Sequence, residues 1–193
     1  MAPRPGLTRE TVVRAAASLA DEDGLDGFTL ADLAYRLGVR TPSLYNHVAG
    51  LGGLRRELAL LGLRELGGRI GRAAIGKTTD EATFAVAHAY RDFVKERPGL
   101  YDATVRSSRL AYPGDPDFEA AENEAFEAVL AVLDSYGLRG EEALHAARGL
   151  RSLVHGFATL EVAGGFGIPL DLDESFERLL RTFVAGLRGK RGE

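Results

Sequence analysis

Apolar residues recur at helical spacing along most of the chain, and this pattern predicts an all-α fold. Glycine and proline interrupt the pattern at several points and mark the ends of the predicted helices. The predicted helices cover about 8–23, 30–37, 41–48, 51–74, 80–97, 100–106 and 118–136, and two more begin near 140 and 173. Residues 107–117 contain two prolines and a glycine and are predicted to form a loop.

The stretch from Phe28 to Val48 predicts a helix, a tight turn and a second short helix. Thr29 can accept a free backbone N–H at the start of the first helix, and the charge of Asp32 suits the helix dipole there. The apolar face of this helix follows the i, i+3, i+4, i+7 spacing at Leu30, Leu33, Ala34 and Leu37. Gly38 is predicted to end it, because glycine enters the left-handed conformation without a steric penalty.

The second helix is predicted to begin near Thr41, which can cap it, with Pro42 in the first turn. Leu44 and Val48 lie one turn apart and form its buried edge. The other side carries Arg40, Thr41, Ser43, Tyr45, Asn46 and His47. A short helix with this division suits the major groove of DNA. On spacing alone, an ordinary helical hairpin with a solvated face is the alternative.

The same residues carry a family resemblance. The run Leu-Gly-Val-Arg-Thr-Pro-Ser-Leu-Tyr-Asn-His-Val at 37–48 resembles the recognition element of the TetR family of transcriptional repressors. The resemblance extends back through 24–29 and the helix over 8–23. It implies an N-terminal three-helix helix-turn-helix DNA-binding domain over 1–50 and a C-terminal helical bundle for ligand binding and dimerisation over 51–193. It also implies a repressor that binds double-stranded DNA at a palindromic operator and is released by a small-molecule effector.

The expected DNA contacts form two groups. Thr41, Pro42 and Ser43 stand at the start of the recognition helix and are expected to face base edges. The resemblance implies that Tyr45 and His47 hold the DNA backbone. The full set of expected DNA-binding residues is Thr29, Arg40, Thr41, Pro42, Ser43, Tyr45, Asn46 and His47. Phosphates could also be reached by Arg4 and Arg9 from the N-terminal segment.

A second resemblance concerns residues 150–164, which are similar to a TetR-type C-terminal domain marked by Trp, His-Gly and Leu-Glu. His155-Gly156 and Leu160-Glu161 match this pattern, whereas Arg151 stands near the place of the tryptophan. The resemblance implies a small, largely apolar effector, although plain core packing would use the same aromatic residues. The expected ligand contacts are His88, Tyr90, Tyr101, Phe126, His155 and Phe157.

Two apolar stripes near the end of the chain predict a homodimer, because they exceed what one core needs and a two-fold four-helix bundle would bury them. The expected interface residues are Leu150, Leu153, Phe157, Phe176, Leu180 and Phe183.

Charge gives DNA binding weak support. The formal net charge is −4, and residues 1–56 carry seven arginines against six aspartates and glutamates. TetR-family members usually have a lysine near the start of the fourth helix, where this chain has Gly50-Leu51-Gly52-Gly53. The alternative function is therefore a helical dimeric interaction or ligand-binding module with weak or lost DNA binding.

Composition argues against several other classes of protein. Apolar residues make up 45% of the chain, no apolar run could span a bilayer, and the N-terminus lacks an apolar signal core. The chain has no cysteine, and together these features favour the cytoplasm. No nucleophile elbow or phosphate-binding loop is present, so we expect no enzyme. His88, His145 and His155 lie on two predicted helices at a spacing that does not chelate, so we expect no metal or other cofactor.

Overall fold

A computed structural model of the chain describes residues 6–107 and 111–189 and confirms the predicted all-α fold. Over these residues the helices are α1 Arg9–Asp23, α2 Leu30–Leu37, α3 Thr41–Leu44, α4 Gly50–Ala74, α5 Thr79–Glu96, α6 Pro98–Arg106, α7 Pro116–Asp134, α8 Gly140–Val162 and α9 Leu172–Gly189. Helix α7 begins at Pro116, two residues before the predicted start, because the fixed backbone angle of proline suits a first helical turn. Residues 108–110 of the predicted loop lie outside the described residues. Arg4 lies outside the described residues.

The chain divides into two compact units. Unit 1 comprises Met1–Leu63 and Arg97–Glu119, and unit 2 comprises Arg64–Glu96 and Ala120–Glu193. Helix α4 therefore begins in one unit and ends in the other, and the single residue Arg97 separates α5 from α6. These units are defined by packing. The division at residue 50 into a DNA-binding domain and a ligand-binding and dimerisation domain is a functional one and remains a prediction.

Unit 1 has its core where α1, α2 and α3 meet. Val12 and Ala16 of α1, Leu33 of α2 and Leu44 of α3 are all fully buried. These residues are the apolar faces that the sequence spacing predicts, and their removal from water is the main stabilising contribution to the unit.

Helix α6 packs on α1 through a glycine and an aspartate. A Cβ atom at Gly99 would lie 1.9 Å from the carbonyl oxygen of Ala20, so the two backbones touch with no room for a side chain. Asp21 lies beside this contact, and its Oδ1 accepts hydrogen bonds of 3.0 Å from the backbone N–H groups of both Gly99 and Leu100. Its Oδ2 accepts a 2.6 Å bond from Nε of Arg97. Asp21 thus satisfies free donors at the start of α6 from another helix.

The first part of α4 also packs closely on α6. A Cβ atom at Gly62 would lie 2.8 Å from the carbonyl oxygen of Leu100 and 2.5 Å from Cγ2 of Thr104. Two glycine contacts, on α1 and on α4, therefore hold α6 within unit 1.

Unit 2 is built on the packing of α5, α8 and α9. The apolar faces of these helices supply Val94, Val154, Phe176 and Leu180, all at most 2% exposed. Tyr136, two residues after the end of α7, contacts α5 through its hydroxyl, which donates to Oδ1 of Asp80 at 2.9 Å. The wide apolar stripe of α9 thus faces the interior of its own unit over much of its length.

No helix in the described ranges is both long and apolar enough to cross a bilayer.

Candidate nucleic-acid interface and effector region

The start of α2 is fixed by a reciprocal cap. Thr29 Oγ1 accepts from the backbone N–H of Asp32 at 3.3 Å, and Asp32 Oδ2 accepts from the backbone N–H of Thr29 at 2.8 Å. The Thr29 hydroxyl also bonds Asp32 Oδ2 at 2.6 Å. These hydrogen bonds lower the pKa of Asp32 below its ordinary value. Thr29 is a helix cap as predicted, and its proposed DNA contact would be an additional role.

The turn between α2 and α3 uses the left-handed conformation predicted for Gly38, which has φ 66° and ψ 32°. Helix α3 begins at Thr41, as predicted, but ends at Leu44 and is therefore shorter than the predicted 41–48. Arg40 is its N-cap residue, with no side-chain cap hydrogen bond, so Thr41 is the first helical residue. The prediction that Thr41 caps α3 was wrong, because Arg40 already has the extended backbone, φ −85° and ψ 144°, that precedes the first turn.

Residues 41–48 form a short segment with one buried edge. Leu44 is fully buried and Val48 is 6% exposed, which confirms the predicted inward pair. The backbone N–H groups of His47 and Val48 both donate to the carbonyl oxygen of Leu44, at 2.9 and 3.0 Å, so the chain turns tightly after α3. The polar side chains expected to contact DNA lie around this edge: Arg40, Pro42, Tyr45 and Asn46 are exposed, and Thr41, Ser43 and His47 are half-buried.

One exposed aromatic residue was missed from the sequence. Tyr35 on α2 is 90% exposed, the largest exposure among the large hydrophobic side chains of the described residues. Tyr35 does not belong to the i, i+3, i+4, i+7 set that forms the buried face of α2. An aromatic residue off this face could have been predicted to be exposed.

The expected ligand contacts belong to both compact units. His88, Tyr90, Phe126, His155 and Phe157 belong to unit 2, whereas Tyr101 is buried in unit 1. Within unit 2, Tyr90 and Phe157 are buried, and Phe126 on α7 is 42% exposed. His88 Nε2 lies 2.7 Å from Oε1 of Glu177 on α9, and its ring meets Phe176 edge to face with centroids 5.3 Å apart.

The centre of unit 2 is an ion pair that the sequence analysis missed. Arg91 on α5 is 3% exposed and forms a two-point bond with Glu161 on α8, from Nε to Oε2 at 2.7 Å and from Nη2 to Oε1 at 2.8 Å. Arg91 Nη1 lies 2.7 Å from Asp173 at the start of α9, and Lys95 Nζ lies 2.8 Å from Glu161. These residues and the two rings described next are called the Arg91 cluster.

Aromatic rings enclose this ion pair. The Arg91 guanidinium carbon lies 4.9 Å from the centroid of the Phe176 ring and 5.4 Å from that of Phe157. A cation held over aromatic faces is attracted by their quadrupoles. Two features of the sequence could have indicated this ion pair: an arginine beside the apolar face of α5, and the glutamate of the Leu160-Glu161 pair in the family pattern.

The pKa values in the Arg91 cluster follow from burial opposed by pairing. Burial alone would raise the pKa of Glu161, but hydrogen bonds from Arg91 and Lys95 more than offset it and hold that pKa below its ordinary value. Burial would likewise lower the pKa of Arg91, and its bonds to Glu161 and Asp173 raise it instead. Both groups therefore stay charged at neutral pH.

The expected interface residues fall into two sets in the single chain. Leu150, Phe157, Phe176 and Leu180 are buried within unit 2, and Leu153 and Phe183 are half-buried. Leu179, one turn before Phe183 on α9, is 37% exposed. Surface available to a second copy thus comes from Leu153, Leu179 and Phe183. The four buried residues pack inside their own unit.

The histidines do not converge on a metal. In the ranges that the structure describes, no three His, Cys, Asp or Glu side chains are placed to hold an ion.

A short helix after a tight glycine turn, with a buried edge and a polar outer side, defines a helix-turn-helix DNA-binding protein. Known proteins agree with this class. The family description "Tetracyclin repressor-like, C-terminal domain" matches residues 83–183. The HTH-type transcriptional regulator YobS of Bacillus subtilis is 40% identical over 188 residues, covering 97% of this chain and 96% of that protein. The HTH-type transcriptional regulator Rv0681 of Mycobacterium tuberculosis is 37% identical over 182 residues, covering 94% and 82%.

The chain therefore belongs to the TetR family of transcriptional regulators, as the sequence resemblance predicts. Its fold agrees with a solved structure from Rhodococcus sp. RHA1, a protein of unknown function, at a TM-score of 0.82 and 23% identity, covering 97% of this chain and 99% of that one.

Proposed function

We propose that this protein is a repressor that binds a palindromic operator as a homodimer and leaves it when a small, largely apolar effector binds. The observation that carries the DNA-binding part is the segment 41–48. Its buried edge of Leu44 and Val48 fixes its rotation and leaves polar side chains of the types that read base edges on its outer side. The proposed location is the cytoplasm, because the operator DNA lies there.

The side chains of this segment divide the work on DNA. Thr41 and Ser43 can hydrogen-bond base edges, and Pro42 can make apolar contact with a thymine methyl group. Tyr45, 60% exposed, and His47 follow the first turn and hold the phosphate backbone, which positions the helix without specifying sequence. In a homodimer the two segments enter successive major grooves about 34 Å apart, so the operator is palindromic.

A mobility-shift assay on the DNA upstream of the gene tests the function directly. A retarded complex that competitor DNA of random sequence does not displace is the expected result. A protein that dimerises but retards neither this DNA nor any duplex selected from a random pool would instead be the alternative interaction module. The engagement of Arg55 with Asp26 and of Arg56 with Asp115 favours that alternative, since both arginines follow the position of the missing lysine.

Selection of binding sites from random DNA tests the division of roles. Ser43→Ala should change the selected base at one position, because each lost base contact costs about 1–3 kcal/mol. Tyr45→Phe and His47→Ala should weaken binding to all sequences by similar factors and leave the selected motif intact. A motif altered by His47→Ala and unaltered by Ser43→Ala would reverse these assignments.

Homodimerisation is supported by the half-exposed apolar residues of α8 and α9. Gly156 on α8 adds to this, because the place of its Cβ is open: apart from its chain neighbours and the adjacent backbone of α8, no atom of the described residues lies within 4 Å, although a glycine inside a helix costs about 1 kcal/mol relative to alanine. Leu153→Glu should give monomers by light scattering at micromolar concentration. Leu180→Glu should unfold the chain instead, since Leu180, one of the expected interface residues, is fully buried. A monomeric wild type would contradict the dimer.

The effector part is supported by the family description over 83–183 and by the aromatic side chains of unit 2. Phe157, His88 and Tyr90 are the strongest candidate contacts, because Phe157 belongs to the Arg91 cluster, the His88 ring contacts Phe176, and Tyr90 is a buried neighbour of Arg91 on α5. The test screens apolar small molecules for a rise in the thermal unfolding midpoint and adds each hit to the protein–operator complex. A tight ligand that leaves operator affinity unchanged would contradict release by an effector.

A further inference from the structure

The arginines of unit 1 are nearly all committed to carboxylates. Among the residues of this unit that the structure describes, seven arginines form ion pairs: Arg9 with Glu57, Arg14 with Glu10, Arg36 with Glu22, Arg55 with Asp26, Arg56 with Asp115, Arg97 with Asp21, and Arg106 with Asp26 and Asp102. The unit contains no lysine, since the lysines are at 77, 95 and 190. Each of these arginines therefore already has a carboxylate partner in the protein without DNA.

Several of these pairs are held firmly. Arg56 binds Asp115 at two points, from Nε to Oδ2 at 2.6 Å and from Nη2 to Oδ1 at 2.8 Å. The hydrogen bonds raise the pKa of Arg56 and lower that of Asp115. Two-point arginine–carboxylate pairs combine charge with fixed geometry. Arg97 is likewise engaged by Asp21 at the start of α6. A phosphate would have to displace a carboxylate that already satisfies the guanidinium.

Arg40 differs from all of them. It is exposed, its side chain forms no ion pair or hydrogen bond with any residue that the structure describes, and it is the N-cap residue of α3. Its position places the guanidinium at the end of the recognition segment that is expected to face the DNA. Within the described part of unit 1 it is the one cation without a carboxylate partner.

We infer that Arg40 is the single side-chain cation that each protomer brings to DNA, in place of the basic anchor absent from the start of α4. This inference rests on the proposed DNA binding and adds which positive charge the DNA-binding surface carries. Affinity then depends on neutral hydrogen-bonding groups of residues 41–47 and on one guanidinium. The partner group on DNA is an oxygen or nitrogen acceptor, either of a phosphate or of a guanine edge.

The inference has a measurable consequence in salt. Each phosphate that a protein neutralises contributes about −0.9 to the slope of log K against log salt concentration. One cation per protomer gives a slope of roughly −1.8 for a dimer, far shallower than the slope of a protein with many phosphate contacts. Binding should therefore survive moderate salt, and non-specific binding should be weak.

The test measures fluorescence anisotropy of a labelled duplex that the wild-type protein has enriched from a random pool, across a series of potassium chloride concentrations. Arg40→Gln should weaken binding and bring the slope close to zero. Arg14→Gln is the matched control, since it removes the same charge from an exposed arginine of α1 that is paired with Glu10. The control should leave the slope unchanged.

The outcomes separate the inference from the proposed function. Arg40→Gln with an unchanged slope contradicts the inference, as does a wild-type slope near −5 or steeper. Arg4 and Arg109 lie outside the described residues. If Arg4→Gln or Arg109→Gln makes the salt slope as much shallower as Arg40→Gln does, that result also contradicts the inference. A protein that binds no DNA at low salt contradicts the proposed function as well. Site selection with Arg40→Gln identifies the acceptor, because a changed motif indicates a guanine and an unchanged motif a phosphate.

Discussion

The two compact units differ in how deeply their ion pairs lie, with side chains 22% and 15% exposed for Arg56 and Asp115 in unit 1 against 4% and 10% for Arg91 and Glu161 in unit 2. In unit 1 most ion pairs lie at the surface, as with Arg14 and Glu10, whose side chains are 63% and 72% exposed. In unit 2 the Arg91–Glu161 pair is enclosed by aromatic rings. Exposed pairs contribute little because water screens them, whereas a buried pair that loses one partner leaves a charge without solvation. The difference predicts which charges can be changed without loss of the fold.

The largest expected effect is in the Arg91 cluster. Glu161→Gln should lower the free energy of unfolding by about 3–5 kcal/mol, because Arg91 would remain buried without its two-point partner. Hydrogen exchange should become faster in α5, α8 and α9. Replacing both partners, as Arg91→Met with Glu161→Leu, should recover most of the loss. Arg14→Gln should cost less than about 1 kcal/mol. A single Glu161→Gln variant as stable as wild type would remove the contrast between the units.

A smaller effect is expected where α6 touches α1. Gly99→Ala should destabilise unit 1 by about 1–3 kcal/mol, because its Cβ would lie 1.9 Å from a backbone carbonyl oxygen that must move. Gly52→Ala is the control in the same unit, since its added Cβ would have no described atom within 4 Å apart from its chain neighbours and the adjacent backbone of α4. It should stabilise α4 by up to about 1 kcal/mol. Urea denaturation measures both, and equal effects of the two changes would contradict the close contact of α6 with α1.

The smallest effect concerns Tyr136 in unit 2. Burial raises its pKa to about 12, whereas an unfolded tyrosine titrates near 10. The folded state thus favours the neutral phenol, so this contribution is complete below about pH 10 and is lost as the pH rises towards 12. Wild type should lose about 1–2 kcal/mol more stability than Tyr136→Phe over this range, measured by denaturation at each pH. Parallel curves for the two proteins would show that burial does not perturb this phenol.

What could be predicted from the sequence was local. Thr29, Asp32 and Gly38 act within a few residues of one another, so their capping and turn roles are visible in the residue order. Arg91 and Glu161 lie 70 positions apart, and Asp21 and Gly99 lie 78 apart. No periodicity brings such pairs together, because their meeting depends on how the helices pack.

The candidate sites follow the same rule. The polar face of 41–48 is set by Leu44 and Val48 within one segment, so its composition was predictable. The expected ligand contacts rest on residue type alone and come from several helices. Tyr101 belongs to unit 1, whereas the other expected contacts belong to unit 2. The sequence could not show that Arg40 lacks a carboxylate partner among the described residues. This property depends on which carboxylates pair with the seven other arginines once the helices are packed.

The order in which the chain visits its units has a consequence for inheritance and engineering. The chain enters unit 2 after Leu63, returns at Arg97 and leaves again after Glu119. A gene fragment that ends near residue 50 would encode α1 without α6, so the carboxylate of Asp21 would lose the helix start that it binds and Ala20 would lose its close contact with Gly99. Recombination that exchanges unit 1 between relatives would therefore have to transfer two separate segments of the gene together. Chimaeras joined at a single crossover should express poorly, and those that also transfer residues 97–119 should recover.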